Sequence, residues 1–465
     1  MLNIKLRMMT KKLKFIDLFA GLGGIRIGFE QACKERGIET ECVLTSEIKP
    51  YAVETLKHNH HHDNFIGDIF QLENENIPDF DFLFGGFPCQ PFSAGGKRNG
   101  FADTRGTLFF EVERILRHKK PQGFILENVE GLVKHDLENK TDKIGRTLKT
   151  ILYKLEEELN YKVSWEVLDS VNFGVPQSRK RIFIVGTKKD KVSLENFTPT
   201  LKVLKDVLES GKETMNTDFT KKLLSHFSVT ELYGKSIKDK RGGANNIHSW
   251  DIGIKGECSK EQIRLLNKLF KVRRQKHWAI EIGIDWMDGM PLTLKQIETF
   301  APTNDLFESY DLKGMLDDLL DKGYLRFEHP KKLVKEELES GVITSRVYDE
   351  TKEKGYNIVT GKLSFEINKI LNPDEIAPTL VATDMSKIVV VDGEGVRKLT
   401  IREGLRIFGY PDNYEIPVKE NFAYDLLGNT VAVPVLKAIS NRILDVVINP
   451  KQAKKAKIEK VEVLL

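Results

Sequence analysis

Two apolar runs of the sequence end in side chains that can do covalent or acid–base chemistry. The first begins at Phe82 and stops at Pro88-Cys89-Gln90 inside a Gly-rich loop. A partly exposed thiolate near backbone amides and cations is a strong nucleophile, so a cysteine at the end of a strand is a candidate for that role. A lone cysteine is more often a small buried apolar residue. The other segments favour the nucleophile.

The second run is Phe124-Ile-Leu-Glu127-Asn128-Val129. The carboxyl edge of a parallel sheet is where open α/β sheets bind ligands. Burial of a carboxyl group there raises its pKa, so that Glu127 could hold or deliver a proton near neutral pH.

Two arginines alternate in Gln177-Ser-Arg179-Lys-Arg181, directly before a third apolar run. In an extended chain their side chains point to the same side, where two guanidiniums suit a phosphate or a base edge. The alternative is the solvated entrance of a strand.

A Gly-rich turn stands among the elements that must position these groups. The segment Phe15-Ile-Asp17-Leu-Phe19-Ala-Gly21-Leu-Gly23-Gly24 predicts a strand, a turn and the start of a helix. Its glycines let the backbone approach a ligand closely. Glu47 ends a second strand, where a carboxylate can bind ribose hydroxyls, and Asp68 ends a third, where it suits an adenine amino group. These features alone fit NAD, FAD or S-adenosylmethionine.

Taken in order, these motifs closely resemble those of the DNA cytosine 5-methyltransferases. The resemblance extends through Asp103-Thr-Arg105-Gly-Thr-Leu108, resumes in Arg397 to Asp412, and includes Gly428-Asn429-Thr430. It implies an α/β fold, namely a Rossmann-like S-adenosylmethionine-dependent methyltransferase sheet with helices on both faces, plus a smaller mixed target-recognition domain. It also implies a catalytic and cofactor-binding domain over residues 1–187, a target-recognition domain over 188–424, and a C-terminal segment, 425–465, that returns to the catalytic domain.

The resemblance implies a chemistry in which Cys89 adds to carbon 6 of a cytosine. Glu127 then stabilises the electron density that develops at nitrogen 3, and Arg179 holds the base by its exocyclic oxygen. Arg181 is the fourth catalytic residue that the resemblance implies. The target nucleotide must be flipped out of the duplex first. The cofactor implied is S-adenosyl-L-methionine, and no metal is expected.

The resemblance also assigns binding residues. The cofactor-binding residues are Asp17, Phe19, Gly21, Gly23, Glu47, Asp68, Pro88, Leu108, Asn429 and Thr430. The DNA-binding candidates are Gln90, Ser93, Lys97, Arg98 and Arg241. Because Asn429 and Thr430 would close the methionine end of the pocket beside Asp17, a predicted helix over roughly 433–448 must pack on the first domain.

The region between about 188 and 374 carries no cofactor-type glycine loop. The segment Lys260–Trp278 has apolar residues at helical spacing and many cations, which predicts a basic amphipathic helix that either contacts the DNA backbone or is the solvated face of a structural helix. The turn Arg241-Gly-Gly-Ala-Asn245-Asn246 could reach base edges, although loop tips often have this composition without such a role.

The composition limits the class of protein and the kind of DNA-binding surface that the chain can have. The chain has 465 residues, 40% of them hydrophobic, and a net charge of only +4, so any DNA-binding surface must be local. Its four cysteines form no CxxC pair, and no signal peptide or membrane span is predicted. We expect a cytoplasmic monomer that binds double-stranded DNA and is functionally paired with a restriction endonuclease without stable contact.

Three alternatives remain at this point. A nicotinamide-dependent oxidoreductase would account for the glycines and Glu47 but leaves Cys89 and Glu127 unexplained. A tRNA cytosine-5-methyltransferase shares the motifs but has no need of so large a middle region. A catalytically silent nucleic-acid-binding protein has no need of Cys89 or Glu127.

Overall fold

The structure is a computed structural model that describes residues 12–61, 64–88, 107–239, 243, 245–301, 311–338, 341–360 and 365–448. The strands are β1 (Leu13–Leu18), β2 (Thr40–Ser46), β3 (Phe65–Ile66), β4 (Phe82–Gly85), β5 (Gly123–Val129), β6 (Lys162–Asp169), β7 (Lys180–Thr187), β8 (Ser236–Ile237), β9 (Asn246–Ile247), β10 (Leu325–Glu328), β11 (Lys331–Leu338), β12 (Gly341–Tyr348), β13 (Gly355–Ile358), β14 (Lys369–Ile370), β15 (Ile388–Asp392) and β16 (Gly395–Lys398).

The α-helices are α1 (Gly24–Glu35), α2 (Pro50–Asn59), α3 (Thr107–Lys119), α4 (Arg146–Tyr153), α5 (Asp218–His226), α6 (Lys260–Val272), α7 (His277–Ile282), α8 (Leu294–Glu298), α9 (Leu312–Asp321), α10 (Ile401–Ile407), α11 (Glu420–Asn429) and α12 (Val433–Val447). None of the described helices is long and apolar enough to cross a lipid bilayer.

The chain divides into two compact units. The first unit contains residues 1–209, 372–386 and 399–465, and the second unit contains 210–371 and 387–398. Residues 188–209, 372–386 and 399–424, which the sequence places in a target-recognition domain, group with the first unit. The predicted boundary at 187 lies at the end of β7, but Val192 and Leu194 still belong to the core on one face of the sheet.

A single sheet organises the first unit. Its strands follow the order β3-β2-β1-β4-β5-β7-β6. All neighbouring pairs from β3 to β5 are parallel, whereas β7 runs antiparallel to both β5 and β6. The strand order reverses between β1 and β4, so the loops after these two strands leave the carboxyl edge at the point where open α/β sheets bind ligands. Because β7 is antiparallel, its first residues lie at that same edge.

Helices cover both faces of this sheet. Successive strand residues point to opposite faces, so Phe82 and Phe84 join one core while Leu83 joins the other. Helices α3 and α4 pack on the face of Leu83, and α1 and α12 pack on the opposite face. This arrangement confirms the predicted α/β class with a doubly covered, largely parallel sheet.

The last described helix, α12, lies against the first, α1. A Cβ atom added to Gly28 would lie 2.6 Å from the Leu436 Cβ, so the two helices approach as closely as a glycine permits. Arg36 fixes the pair by donating to the Asn441 side chain at 3.1 Å and to Asp445 at 2.6 Å. The segment before α12 is thereby brought beside the Gly-rich turn.

The second unit contains shorter elements. One sheet has the order β16-β15-β14-β8-β9, while β10 pairs only with β13 and β11 only with β12 among the described strands. Helix α6 is amphipathic, as predicted, but it ends at Val272, and Trp278 of the predicted segment lies in the separate helix α7. Helix α6 buries Leu265, Leu266 and Leu269 and exposes Lys260, Arg264, Lys268 and Lys271.

Candidate active site

The carboxyl edge of the seven-stranded sheet gathers most of the predicted site residues. Asp17 lies near the end of β1, Glu47 directly after β2, and Asp68 two residues after β3. Pro88 follows β4, and Glu127 lies near the end of β5. Cys89, Gln90, Ser93, Lys97, Arg98 and Arg241 lie outside the described residues, so their roles stay predictions.

The Gly-rich turn after β1 has a left-handed backbone that glycines allow. Gly21 and Gly23 have φ values of 55° and 66°, and Phe19 shares this conformation with a φ of 55°. The Gly21 amide donates to the Glu47 carboxylate at 2.8 Å, and the Lys49 amide donates to its other oxygen at 2.8 Å. Glu47 therefore anchors the turn to the end of β2.

Open space adjoins this turn. A Cβ atom added to Gly21 would have no described atom within 4 Å, although Gly21 lies between packed elements. Behind the turn, the Asp17 side chain is buried, and burial raises its pKa to about 8 despite the opposing charge of Arg26. One Asp17 carboxyl oxygen has no hydrogen-bond partner in the described part of the chain. This buried oxygen, beside the open space at Gly21, suits a ligand that carries a hydrogen-bond donor or a positive charge.

The two C-terminal cofactor candidates differ in what they contact. The buried Thr430 hydroxyl lies 2.6 Å from the Tyr410 hydroxyl, and Tyr410 in turn lies over Gly24 of the turn. The exposed Asn429 instead donates to the backbone and side chain of Asp425, one helical turn earlier. The structure thus brings Thr430 to the turn and ties Asn429 to its own helix.

Apolar side chains that the sequence did not single out border the other end of this edge. Ile48 is 71% exposed directly after Glu47, and Phe70 is 49% exposed two residues after Asp68. The Asp68 carboxylate accepts the Phe70 amide and so starts a short 3-10 helix. Large exposed apolar groups beside two carboxylates can flank a flat heterocycle. Leu108, by contrast, is half-buried and packs on the sheet core.

Glu127 forms a buried ion pair with Arg181. The Arg181 Nε lies 3.1 Å from the Glu127 carboxylate, and both side chains are at least 85% buried. The antiparallel register explains the contact, since Glu127 and Arg181 stand two residues apart along the β5–β7 pair, on the same face. Burial raises the pKa of Glu127, while the charges of Arg181 and Arg179 oppose that rise.

Arg179 connects three segments of the first unit. Its guanidinium donates to the carbonyls of Leu380 at 3.0 Å and Gly428 at 3.3 Å, and its Nε has no partner in the described residues. Burial, with the charge of Arg181, lowers the pKa of Arg179 to about 9, so it stays positive at neutral pH. The two arginines both act on Glu127, but only Arg181 contacts it.

Asn128 supports the loop that leads to Cys89. Its buried amide donates to the Phe87 carbonyl at 3.1 Å. The strand β5 thereby fixes the backbone directly before Pro88. The sequence marks Asn128 as part of a motif but gives no role for it, because its partner is a backbone atom 41 residues away.

His58, in the last turn of α2, makes a surface contact. His58 pairs with Glu415 at 2.9 Å. Within the described ranges, no group of three or more His, Cys, Asp or Glu side chains is placed to hold a metal ion.

Comparison with known proteins gives a consistent result. The C-5 cytosine-specific DNA methylase family matches residues 13–445. The Type II methyltransferase M.NlaIV of Neisseria lactamica is 57% identical over 434 residues, which cover 93% of this chain and 99% of that protein. The Type II methyltransferase M.NgoBV of Neisseria gonorrhoeae is 56% identical over the same length and shares of both chains.

Among solved structures, the Entamoeba histolytica methyltransferase EhMeth superimposes with a TM-score of 0.50 at 14% identity, covering 94% of this chain and 99% of that one. This likeness concerns the fold, which is that of the S-adenosylmethionine-dependent methyltransferases. The nicotinamide oxidoreductase alternative has no support in these findings. The chain belongs to the family of C-5 cytosine-specific DNA methylases and is a DNA cytosine C5-methyltransferase.

Proposed function

We propose that the protein transfers the methyl group of S-adenosyl-L-methionine to carbon 5 of a flipped-out cytosine in a specific duplex DNA site. The observation that carries this proposal is the buried Glu127–Arg181 pair beside the loop that Asn128 fixes and that continues directly into Cys89. In this proposal Glu127 of β5 supplies a proton or a hydrogen bond, and the segment after the neighbouring strand β4 supplies the nucleophile.

The residues around the Gly-rich turn fit S-adenosyl-L-methionine. The Asp17 oxygen that has no partner among the described residues, and the open space at Gly21, suit its positively charged end, while Ile48 and Phe70 suit its adenine. Glu47 would bind the ribose, and Asp68 the adenine amino group. Bound there, the cofactor supplies an electrophilic methyl group.

Cys89 is the nucleophile in this proposal. Carbon 5 of cytosine is too weak a nucleophile until a thiolate adds to carbon 6 and pushes electron density toward nitrogen 3. Glu127, whose pKa is raised by burial, donates a hydrogen bond or a proton to that nitrogen. The Arg179 Nε, which has no partner in the ranges that the structure describes, would donate to the exocyclic oxygen. Carbon 5 would then bond to the methyl group, and loss of the carbon 5 proton to a base or a water would break the bond to the Cys89 sulfur and restore the aromatic ring.

The cellular role follows from the relatives. Two proteins that match this chain over 99% of their length are named Type II methyltransferases. We propose that this protein likewise protects DNA from a functionally paired restriction endonuclease, without stable contact with it, and that it acts as a monomer. The second unit reads the target sequence in this proposal.

A direct assay tests the reaction. The purified protein is incubated with methyl-labelled S-adenosylmethionine and either a mixed-sequence duplex DNA pool or tRNA, with Cys89→Ser as the inactive control. We expect label in 5-methylcytosine of the duplex, at one sequence context when mapped by bisulfite sequencing. Label in tRNA alone, or none in either nucleic acid, would contradict the proposal.

A further inference from the structure

A cavity in the second unit contains a group of cationic side chains that the proposed reaction does not use. Its volume is about 260 Å³. It lies between the end of α6 and the two small antiparallel pairs, β10–β13 and β11–β12. The cations that line it are Arg273, Arg326, Lys331 and Arg346.

Strand register accounts for this convergence. Arg326 of β10 stands opposite Asn357 of β13, so both side chains lie on one face. On the β11–β12 pair, Lys331 stands opposite Tyr348, and Arg346 lies two residues before Tyr348 on the same face. The two strand pairs therefore bring three cations to one cavity from separate parts of the sequence.

The acids of the cavity are already engaged. Asp288 pairs with Arg274, which does not line the cavity, at 3.1 Å. Glu328 accepts from the Asn357 amide at 2.7 Å and from the Tyr348 hydroxyl at 2.8 Å.

Arg326 and Arg346, by contrast, are exposed, and neither has an ion-pair partner in the part of the chain that the structure describes. The lining thus has four cations against two acids, and the excess positive charge lies on exposed groups.

Arg273 is the buried cation of the cavity lining. Its guanidinium donates to the side-chain oxygen Oδ1 of Asn357 at 2.6 Å, and its Nε has no partner among the described residues. The charges of Asp288 and Glu328 act on Arg273, but neither forms an ion pair with it in the described part of the chain. A buried guanidinium without an ion-pair partner is costly, and a bound anion would lower that cost. The network from Arg273 through Asn357 to Glu328 continues to the Tyr348 hydroxyl of β12 and so links the two strand pairs at the cavity.

We propose that this cavity binds one phosphate group of the DNA backbone and so sets the position of the second unit on the duplex. Guanidiniums match phosphate geometry and bind it by charge-assisted hydrogen bonds. The inference rests on the proposed function, because it takes duplex DNA as the substrate. The contact positions the protein and carries no sequence information.

The β11–β12 pair favours DNA over a free anion. These two eight-residue strands pair only with each other among the described strands, and a two-stranded ribbon is narrow enough to enter a major groove. Lys331 and Tyr348 form one end of the ribbon, and Leu338 and Gly341 form the other. A phosphate held there would lie where the ribbon meets the rest of the unit.

The test measures DNA binding by Arg326→Ala, Arg346→Ala and the double variant over a series of salt concentrations. Loss of one phosphate contact makes the slope of log K against log salt shallower by about 0.9. We expect this change in the double variant, with an equal loss of affinity on specific and unspecific DNA and an unaltered methylation site. Lys295→Ala, an exposed cation of the same unit outside the cavity, should leave the slope unchanged.

Several results would overturn the inference. An unchanged slope in the double variant, or an equal change in Lys295→Ala, would exclude a specific phosphate contact. An altered methylation site would make the cavity a base-reading site. Calorimetric binding of inorganic phosphate that the double variant loses, without any change in DNA binding, would assign a free anion. Wild-type protein that fails to methylate DNA would instead contradict the proposed function. Thermal denaturation checks that each variant is folded.

Discussion

Replacing Glu127 by Gln should separate proton supply from every other role of this side chain. Glutamine keeps the size of the side chain and an oxygen that can accept from Arg181, whose Nε lies 3.1 Å from the carboxylate. It cannot give up or take a proton. If Glu127 supplies a proton or a short charge-assisted bond to cytosine nitrogen 3, turnover should fall by about 10²- to 10⁴-fold. That loss corresponds to about 2.7 to 5.5 kcal/mol of transition-state stabilisation.

The structure predicts that this loss is not caused by unfolding. The pKa of Glu127 is raised in the folded state, so the folded protein binds this proton more tightly than the unfolded chain. Such a group lowers the stability as the pH rises from the unfolded pKa through the folded one. Replacing the carboxyl by a neutral amide removes this cost, so the free energy of unfolding at pH 7 should not decrease.

The assay is single-turnover methyl transfer to duplex DNA across a pH series. With a protonated Glu127 required, the wild-type rate should fall on the alkaline side as the carboxyl ionises. The Gln variant should be slow and should lack that alkaline fall. Glu166→Gln is the matched control, because Glu166 and Glu127 both stand opposite Phe183, in the two strands that flank β7.

The reasoning fails under two results. A Glu127→Gln rate within threefold of wild type would remove the proton role. A large loss of S-adenosylmethionine affinity with chemistry preserved would move Glu127 to the cofactor pocket. A loss of similar size in Glu166→Gln would show that the effect is general to carboxylates of this sheet.

Other substitutions test the nucleophile, the packing, the cofactor pocket and the division of labour between the two units. Cys89→Ser should abolish methyl transfer and retain DNA binding. DNA with 5-fluorocytosine at the target position should form a covalent adduct with Cys89 of the wild-type protein. An adduct mapped to another cysteine would refute the assignment of Cys89 as the nucleophile. Gly28→Ala should lower the free energy of unfolding by about 1 to 3 kcal/mol in denaturant titrations, because the new Cβ would lie 2.6 Å from the Leu436 Cβ. Gly131→Ala, whose new Cβ would lie 3.8 Å from its nearest neighbour, should leave that free energy almost unchanged. Equal effects of the two substitutions would contradict the close packing of α1 and α12. Asp17→Asn should be more stable than the wild type, and this gain in the free energy of unfolding should grow between pH 4 and pH 8. The reason is that Asp17 has a pKa of about 8 in the folded protein, so the wild type loses stability as the unfolded chain ionises. A gain at pH 4 alone would be inconsistent with this. Replacing Arg241 and the Asn245-Asn246 pair should change the methylated DNA sequence, at a cost in binding free energy of about 1 to 3 kcal/mol per lost base contact. Lys97→Ala and Arg98→Ala should instead weaken binding to all DNA sequences alike. The reverse pattern in bisulfite sequencing would refute the proposal that the second unit recognises the DNA sequence.

Local chemistry in the sequence predicts much of this site. Apolar runs that stop at a glycine, a carboxylate or a cysteine locate the strand ends, and strand ends in a parallel sheet share one edge. The positions of Asp17, Glu47 and Glu127 at that edge follow from this rule alone. The amphipathic face of α6 follows from the 3.6-residue period in the same way.

Contacts between distant segments could not be predicted from the sequence. The Glu127–Arg181 pair depends on β7 running antiparallel to β5, and the Arg179 contacts depend on residues 380 and 428 arriving from far along the chain. The cavity of the second unit depends on the register of two separate strand pairs. The sequence by itself determined which groups can react, because residue type sets charge, nucleophilicity and backbone freedom. Only the tertiary structure decided which of them meet, because burial, pKa and pairing depend on neighbours that strand order brings together.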